Sequence, residues 1–199
     1  MPDAVGFQPF KSSPLTGLPA PFGGITLEER RFLGKVIVRG EPDDKAFTEA
    51  VTSTVGCAPP VEPNTTAASA GVPARTVFWL GPNEWMIHCA EDTQYALVAD
   101  LREALKERHA AVVDVSDYYV LMRLSGERTL EVLSKGTPLD LHPRSFQVGR
   151  CAQTHFGHAT VLLHKVEDSA MDVQVRWSFA EYVWTLIVDG TREYSAAPG

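Results

Sequence analysis

The sequence consists of two halves that share one order of predicted elements. In each half a short apolar strand is followed by a helix, then by hairpin strands, then by a second helix. The opening strands are centred on Val36 and Leu121, about 85 positions apart. Sequence identity between the halves is negligible, so the prediction rests on element order alone. We predict an α+β fold of two similar strand-helix-hairpin-helix halves, with mainly antiparallel sheets and helices packed on one face of each.

Local patterns predict the individual elements. Phe47, Val51 and Val55 recur at helical spacing and Gly56 ends that helix, whereas residues 57–73 have the composition of a loop. Residues 76–80 and 84–89 flank a hairpin turn. Late in the chain, apolar Val173, Val175 and Trp177 alternate with polar Asp172, Gln174 and Arg176. This alternation predicts a half-buried strand, and Ser178 with Glu181 predicts a capping box for the last helix.

Proline and glycine content sets the predicted domain boundaries. Residues 1–25 carry five prolines, so we expect residues 1–28 to be an extended arm. A single domain would cover residues 29–192, as pseudo-repeats 29–112 and 113–192, with a tail at 193–199. The arm is either a frayed tail or a segment that docks on another chain, because it contains the apolar residues Phe7, Phe10, Leu15, Leu18 and Phe22.

Charge and cysteine content restrict the partners. The net charge of −7, with no basic run longer than Arg30-Arg31, argues against nucleic acid and membrane surfaces as partners. The first residues lack the pattern of a secretory signal, and no apolar stretch is long enough to span a membrane. Three cysteines are typical of reduced thiols rather than of a disulfide framework. We therefore expect a cytoplasmic protein.

Self-contained catalytic and nucleotide-binding motifs are absent from the sequence. The best metal-binding candidate is the set Cys151, His155, His158 and His164, which are suitable zinc ligands. Strand geometry argues against it, since His158 would point away from Cys151 and His155 unless Gly157 makes a turn. The pair His88-Cys89 is weaker, because neighbouring residues of a strand face opposite ways.

The segment 113–117 allows two interpretations. Asp114 and Ser116 are suited to cap a turn through hydrogen bonds to the backbone, which is the favoured interpretation. Alternatively, a carboxylate here could meet a cationic amine. The four tryptophans are most simply core or interface residues; they are Trp79, Trp85, Trp177 and Trp184.

Several stretches resemble known families. Residues 113–116, followed by the apolar strand 121–124, Gly126 and the helix at 130–133, resemble the folate domain of glycine-cleavage aminomethyltransferases. Further stretches are similar to the gamma subunit family of heterotetrameric sarcosine oxidase; they are residues 81–85, 134–141, 146–154 and 175–184. The resemblance covers roughly residues 75–190.

This resemblance implies a subunit of a cytoplasmic αβγδ complex that oxidatively demethylates sarcosine to glycine. The products would be hydrogen peroxide and 5,10-methylenetetrahydrofolate or formaldehyde. FAD, FMN, NAD, tetrahydrofolate and zinc would be bound by the alpha, beta and delta subunits, and the main contact would be with alpha. We assign no catalytic, cofactor-binding or metal-binding residue to this chain. The alternative is a free-standing folate-binding protein of the aminomethyltransferase type, in which Asp114 would contribute to folate binding.

Overall fold

The computed structural model describes residues 11–71 and 74–195, which form two five-stranded antiparallel sheets packed face to face. Each sheet carries two helices on its outer side. In the first half the elements are β1 Thr26–Glu29, β2 Gly34–Arg39, α1 Lys45–Val55, β3 Thr66–Ala68, β4 Thr76–Gly81, β5 Glu84–Cys89 and α2 Gln94–Ala104. In the second half they are β6 Ala111–Asp114, β7 Tyr119–Ser125, α3 Thr129–Ser134, β8 Cys151–Phe156, β9 Ala159–Glu167, β10 Ala170–Arg176 and α4 Ala180–Gly190.

The helices on the outer sides of the sheets bury the faces that helical periodicity predicts, as α1 shows. Helix α1 buries Phe47, Val51 and Val55 against one sheet, and Gly56 ends it in a left-handed conformation with φ of 91°. Three helices have 11 residues each, and no helix in the described ranges is long and apolar enough to cross a membrane.

The two halves exchange their leading strands. The first sheet has the order β3-β4-β5-β2-β6 and the second β1-β7-β10-β9-β8. Strand β1 precedes β2 in the chain but pairs with β7 of the other half, with Thr26 opposite Ser125. Strand β6 precedes β7 but pairs with β2, with Asp114 opposite Val36. The predicted α+β fold and the predicted element order are confirmed, and the exchange joins the halves through their hydrogen bonds.

Strand β10 is buried on both faces, so the prediction that Asp172 and Gln174 lie on a wet face is wrong. The two residues are only 7% and 2% exposed. Their face is covered by the other sheet, whereas Val173 and Val175 face the helices of their own half. Trp177, predicted to lie on the buried face, is largely exposed just beyond the strand.

The arm packs on its own chain over the range that the structure describes. Leu15 and Ile25 are buried in the core of the second sheet, and Leu18 packs against it. Trp184 Nε1 donates a hydrogen bond to the Pro19 carbonyl at 2.8 Å. The chain's own core therefore buries Leu15 and partly buries Leu18, whereas Phe22 is exposed, and Phe7 and Phe10 lie outside the described residues. Docking of the arm on another chain stays a prediction.

Two local predictions are wrong. Ser178 does not cap α4, because the chain enters this helix through a 3₁₀ turn at Trp177–Phe179, and no side-chain cap bond forms. The segment 57–73 is not only loop, since it contains β3. This short strand forms because Thr66 pairs with Phe78, and its hydroxyl donates to the Gly149 carbonyl of the second half.

Replacing Trp184 by phenylalanine is expected to loosen the arm. The bond to Pro19 is lost and the smaller ring fills the core less well, which together should lower the free energy of unfolding by about 1–2 kcal/mol. Faster hydrogen exchange or proteolysis of residues 11–25 would report the loosening. Trp177→Phe, at an exposed position, is the matched control, and equal protection of the arm in both variants would contradict this account.

Candidate functional site

A polar layer lies between the two sheets. His88 Nε2 of β5 and Gln174 Oε1 of β10 are 2.6 Å apart, and Gln174 Nε2 donates to Met86 Sδ at 3.0 Å. Burial lowers the pKa of His88 to about 4, and the charge of Lys35 acts in the same direction. His88 is therefore neutral at neutral pH, and its Nε2 carries the proton that Gln174 accepts.

An ion pair crosses the second sheet beside this layer. Arg123 Nε and Nη2 donate to the two carboxylate oxygens of Asp172 at 2.7 and 2.9 Å. Burial acts to raise the pKa of Asp172, but the neighbouring His164 imidazole and the Arg123 bonds outweigh it, so this pKa is lowered. The bond to Asp172 also raises the pKa of Arg123. A carboxylate held in this way is a weak base, which suits a structural role better than proton transfer.

A cavity of about 370 Å³ opens where the two halves meet. Its walls come from the arm, the start of α2, and the connections β1–β2 and β6–β7. Lys35 and Gln94 are its buried polar residues, and Trp177 and Tyr95 are exposed on its wall. The cavity combines charged groups of both signs with aromatic rings, so it is the best candidate for a binding site.

Ser116 lies on one wall of this cavity, and Asp114 holds it in place. Asp114 Oδ1 accepts from the Ser116 backbone N–H at 2.9 Å and from Ser116 Oγ at 2.5 Å. Ser116 Oγ in turn accepts from the backbone N–H of Lys35 at 3.0 Å. This geometry supports the turn interpretation, because the carboxylate oxygen that faces the turn is used to hold the connection between β6 and β7.

The four candidate zinc ligands are not brought together. Cys151 lies opposite His164 in the β8–β9 pair, but His155 is four residues along the strand, about 13 Å away. His158 lies in the turn beyond, where its backbone N–H donates to Tyr182 Oη. Within residues 11–71 and 74–195 no group of three or more His, Cys, Asp or Glu is placed to hold a metal ion.

The other residues singled out from the sequence are the His88-Cys89 pair, the cysteines and the tryptophans. His88 faces the other sheet, whereas Cys89 belongs to the core under α1 and α2, as expected for strand neighbours. All three cysteines are free thiols, and burial raises the pKa of Cys151 to about 11. Trp85 and Trp184 are core residues, whereas Trp79 is half-buried.

Sequence reasoning missed the residues that matter most in the interior. Lys35 stands inside the apolar run of β2, and a lysine within a predicted buried strand could have marked it. Gln94 and the Arg123–Asp172 pair carry no such local signal, because contacts with elements distant in the sequence bury them.

The comparison with protein families identifies the chain's relatives. The model described as "Sarcosine oxidase, gamma subunit family" matches residues 39–193. The chain belongs to this family. It is 32% identical to a sarcosine oxidase subunit gamma from Corynebacterium sp. (strain P-1) over 176 residues, which is 88% of this chain and 84% of the relative. It is 30% identical to the subunit from Arthrobacter sp over 174 residues, 87% of this chain and 83% of the relative.

Solved structures agree with the family assignment. A heterotetrameric sarcosine oxidase from Corynebacterium sp. U-96 contains a chain with a TM-score of 0.80 and 29% identity, with 90% of each chain covered. The aminomethyltransferase T of the glycine cleavage system from Bartonella henselae has a TM-score of 0.66 at 12% identity, over 88% of this chain and 48% of the other. At that identity the likeness shows a shared fold alone, which is the fold that the sequence predicted.

Proposed function

We propose that this chain is the gamma subunit of a heterotetrameric sarcosine oxidase and serves assembly without catalytic groups of its own. Most of the chain is covered by the matches to the gamma subunits and to the heterotetrameric enzyme, and this observation carries the proposal. The complex would be cytoplasmic and would oxidatively demethylate sarcosine to glycine. Hydrogen peroxide would form, and tetrahydrofolate would take the one-carbon unit as 5,10-methylenetetrahydrofolate, or formaldehyde would be released.

The polar groups of the interior support a non-catalytic role. His88 is bonded to Gln174, and Arg123 to Asp172, so these groups stabilise the contact between strands and sheets. The sequence also lacks the loops that bind dinucleotides. As the family resemblance implies, FAD, FMN, NAD and tetrahydrofolate would be bound by the alpha and beta subunits, and zinc by delta.

Exposed aromatic rings support a partner subunit. Large rings are left exposed at Phe32, Tyr95, Tyr118, Trp177, Phe179 and Tyr182. Tyr118 and Trp177 are adjacent, since the backbone N–H of Trp177 donates to the Tyr118 carbonyl at 2.9 Å. Aromatic residues are enriched at protein interfaces and often dominate their energetics, so a neighbouring subunit, in our proposal alpha, would cover them.

Co-purification tests this function. We expect a tagged form of this chain, co-expressed with the alpha, beta and delta subunits, to recover all four in equal amounts by native mass spectrometry. Omitting the chain should lower the yield of active oxidase. The double variant Tyr118→Ser/Trp177→Ser should weaken recovery, whereas Val148→Ser, at another exposed position, should not. An oxidase of unchanged yield, activity and stability without this chain would refute the proposal.

A further inference from the structure

The 370 Å³ cavity between the halves is lined by two buried polar groups whose hydrogen-bonding capacity is not fully used by the chain. Lys35 is 2% exposed and Gln94 is 5% exposed. Buried polar groups are nearly always hydrogen-bonded, and buried charges are nearly always paired. Two exceptions on the wall of one cavity therefore indicate a missing binding partner.

Lys35 is a buried cation without an ion pair in the described parts of the chain. Its Nζ donates to the Leu33 carbonyl at 3.0 Å and to the Ser116 carbonyl at 3.5 Å. An ammonium has three donors, and the 3.5 Å contact is long, so donor capacity remains for an anionic acceptor. Burial lowers the pKa of Lys35 to about 8, which the charge of Asp117 opposes in part. The ammonium form predominates at neutral pH.

Gln94 supplies an acceptor close to the same segment. Its Oε1 is buried and has no hydrogen-bond partner in the described residues. A Cβ on Gly34 would lie 2.8 Å from this oxygen, so the oxygen lies against the backbone next to Lys35. A ligand that meets both groups must therefore offer an acceptor to Lys35 and a donor to Gln94.

The other walls favour a ligand that carries both charges. The carboxylate of Asp117 is part of the cavity, which would attract a cationic group. Trp177 and Tyr95 contribute aromatic rings, which contact methylene, methyl or ammonium groups favourably. A simple anion would use Lys35 but would leave Gln94 unpaired.

We propose that this cavity binds a small amino-acid zwitterion, with its carboxylate on Lys35 Nζ and its ammonium group on Gln94 Oε1 beside Asp117. The site is a binding site and contains no catalytic residue. The inference does not depend on the proposed function, since binding is a property of the chain itself. If the proposed function holds, sarcosine and glycine are both ligands of this class.

Calorimetric titration of the full-length chain at pH 7 tests the proposal. We expect glycine and N-methylglycine to bind, and acetate and methylamine, each carrying only one of the two charges, to bind at least about tenfold more weakly. Absence of binding by both zwitterions at millimolar concentration would overturn the proposal. Acetate binding as tightly as glycine would overturn it as well, because it would show a plain anion site.

Matched variants locate the ligand. Lys35→Met and Gln94→Leu should each weaken glycine binding by about tenfold or more, because each removes one hydrogen bond to a charged group. Lys106→Met removes an exposed lysine and should leave binding unchanged. Circular dichroism verifies that each variant is folded. Folded Lys35→Met protein that binds glycine as the unmodified chain does would place the ligand elsewhere and refute the assignment.

The pH dependence of binding keeps the proposal testable should a variant fail to fold. The titratable groups that face Lys35 are Asp117, Asp114, Glu29, His88 and Cys89. Since the carboxylate needs the ammonium form of Lys35, affinity should be nearly constant below about pH 7 and fall about tenfold between pH 7 and 9. Glycine keeps its own amino proton over most of this window. Affinity that does not change up to pH 9 would show that Lys35 is not the carboxylate partner.

Discussion

Replacing Arg123 by methionine is expected to lower the free energy of unfolding by about 2–3 kcal/mol. The substitution leaves Asp172 buried with its two best hydrogen bonds removed, and His164 Nδ1, at 3.9 Å, is too distant to replace them. Breaking a buried pair typically costs more than this, but the Arg123 side chain is 28% exposed, so solvent offsets part of the loss. Urea unfolding at pH 7 measures the change.

An exposed ion pair in the other sheet provides the control. Arg39 bonds Glu84 at 2.9 Å, but its side chain is 60% exposed. Arg39→Met should therefore change the free energy of unfolding by less than about 0.5 kcal/mol. In the double variant Arg123→Met/Asp172→Leu the buried charge is gone, so we expect it to be more stable than Arg123→Met alone. Equal losses for Arg123→Met and Arg39→Met would contradict a buried, structural role for the pair.

Local sequence patterns were sufficient for the elements but not for their pairing. The sequence predicts helix α1 because Phe47, Val51 and Val55 share one face and Gly56 can adopt a left-handed conformation. The hairpin of β4 and β5 followed from a turn signal between two apolar runs. The exchange of β1 and β6 between sheets depends on contacts about 70 to 100 residues apart, which no local periodicity contains.

The candidate site was harder to predict for the same reason. Alternation in β10 predicts one solvent-facing and one buried face, yet the face with Asp172 and Gln174 is covered by the other sheet. A polar residue that faces a second sheet has the same spacing as one that faces water. The sequence indicates that a polar group is buried only where a polar residue breaks an apolar pattern, as Lys35 does within the apolar strand β2.

Acid is expected to destabilise this protein through His88. The unfolded chain takes up a proton on this residue near pH 6.5, whereas burial keeps the folded form neutral down to about pH 4. Between these values the unfolded state binds more protons, so the stability present above pH 6.5 is lost as the pH falls. The difference in pKa corresponds to a loss of about 3 kcal/mol from this one residue.

The contribution of His88 is isolated by comparing the unmodified chain with His88→Gln. Glutamine can still donate a hydrogen bond to Gln174 Oε1, but it does not titrate. Urea unfolding should show that the difference in the free energy of unfolding between the unmodified chain and His88→Gln shrinks as the pH falls from 7 to 4.5. The histidine takes up a proton on unfolding in this range, whereas the glutamine that replaces it does not. His155→Gln, at an exposed position of β8, should parallel the unmodified chain throughout. If the His88→Gln curve is also parallel, then the pKa of His88 is not lowered in the folded protein, which would contradict this account.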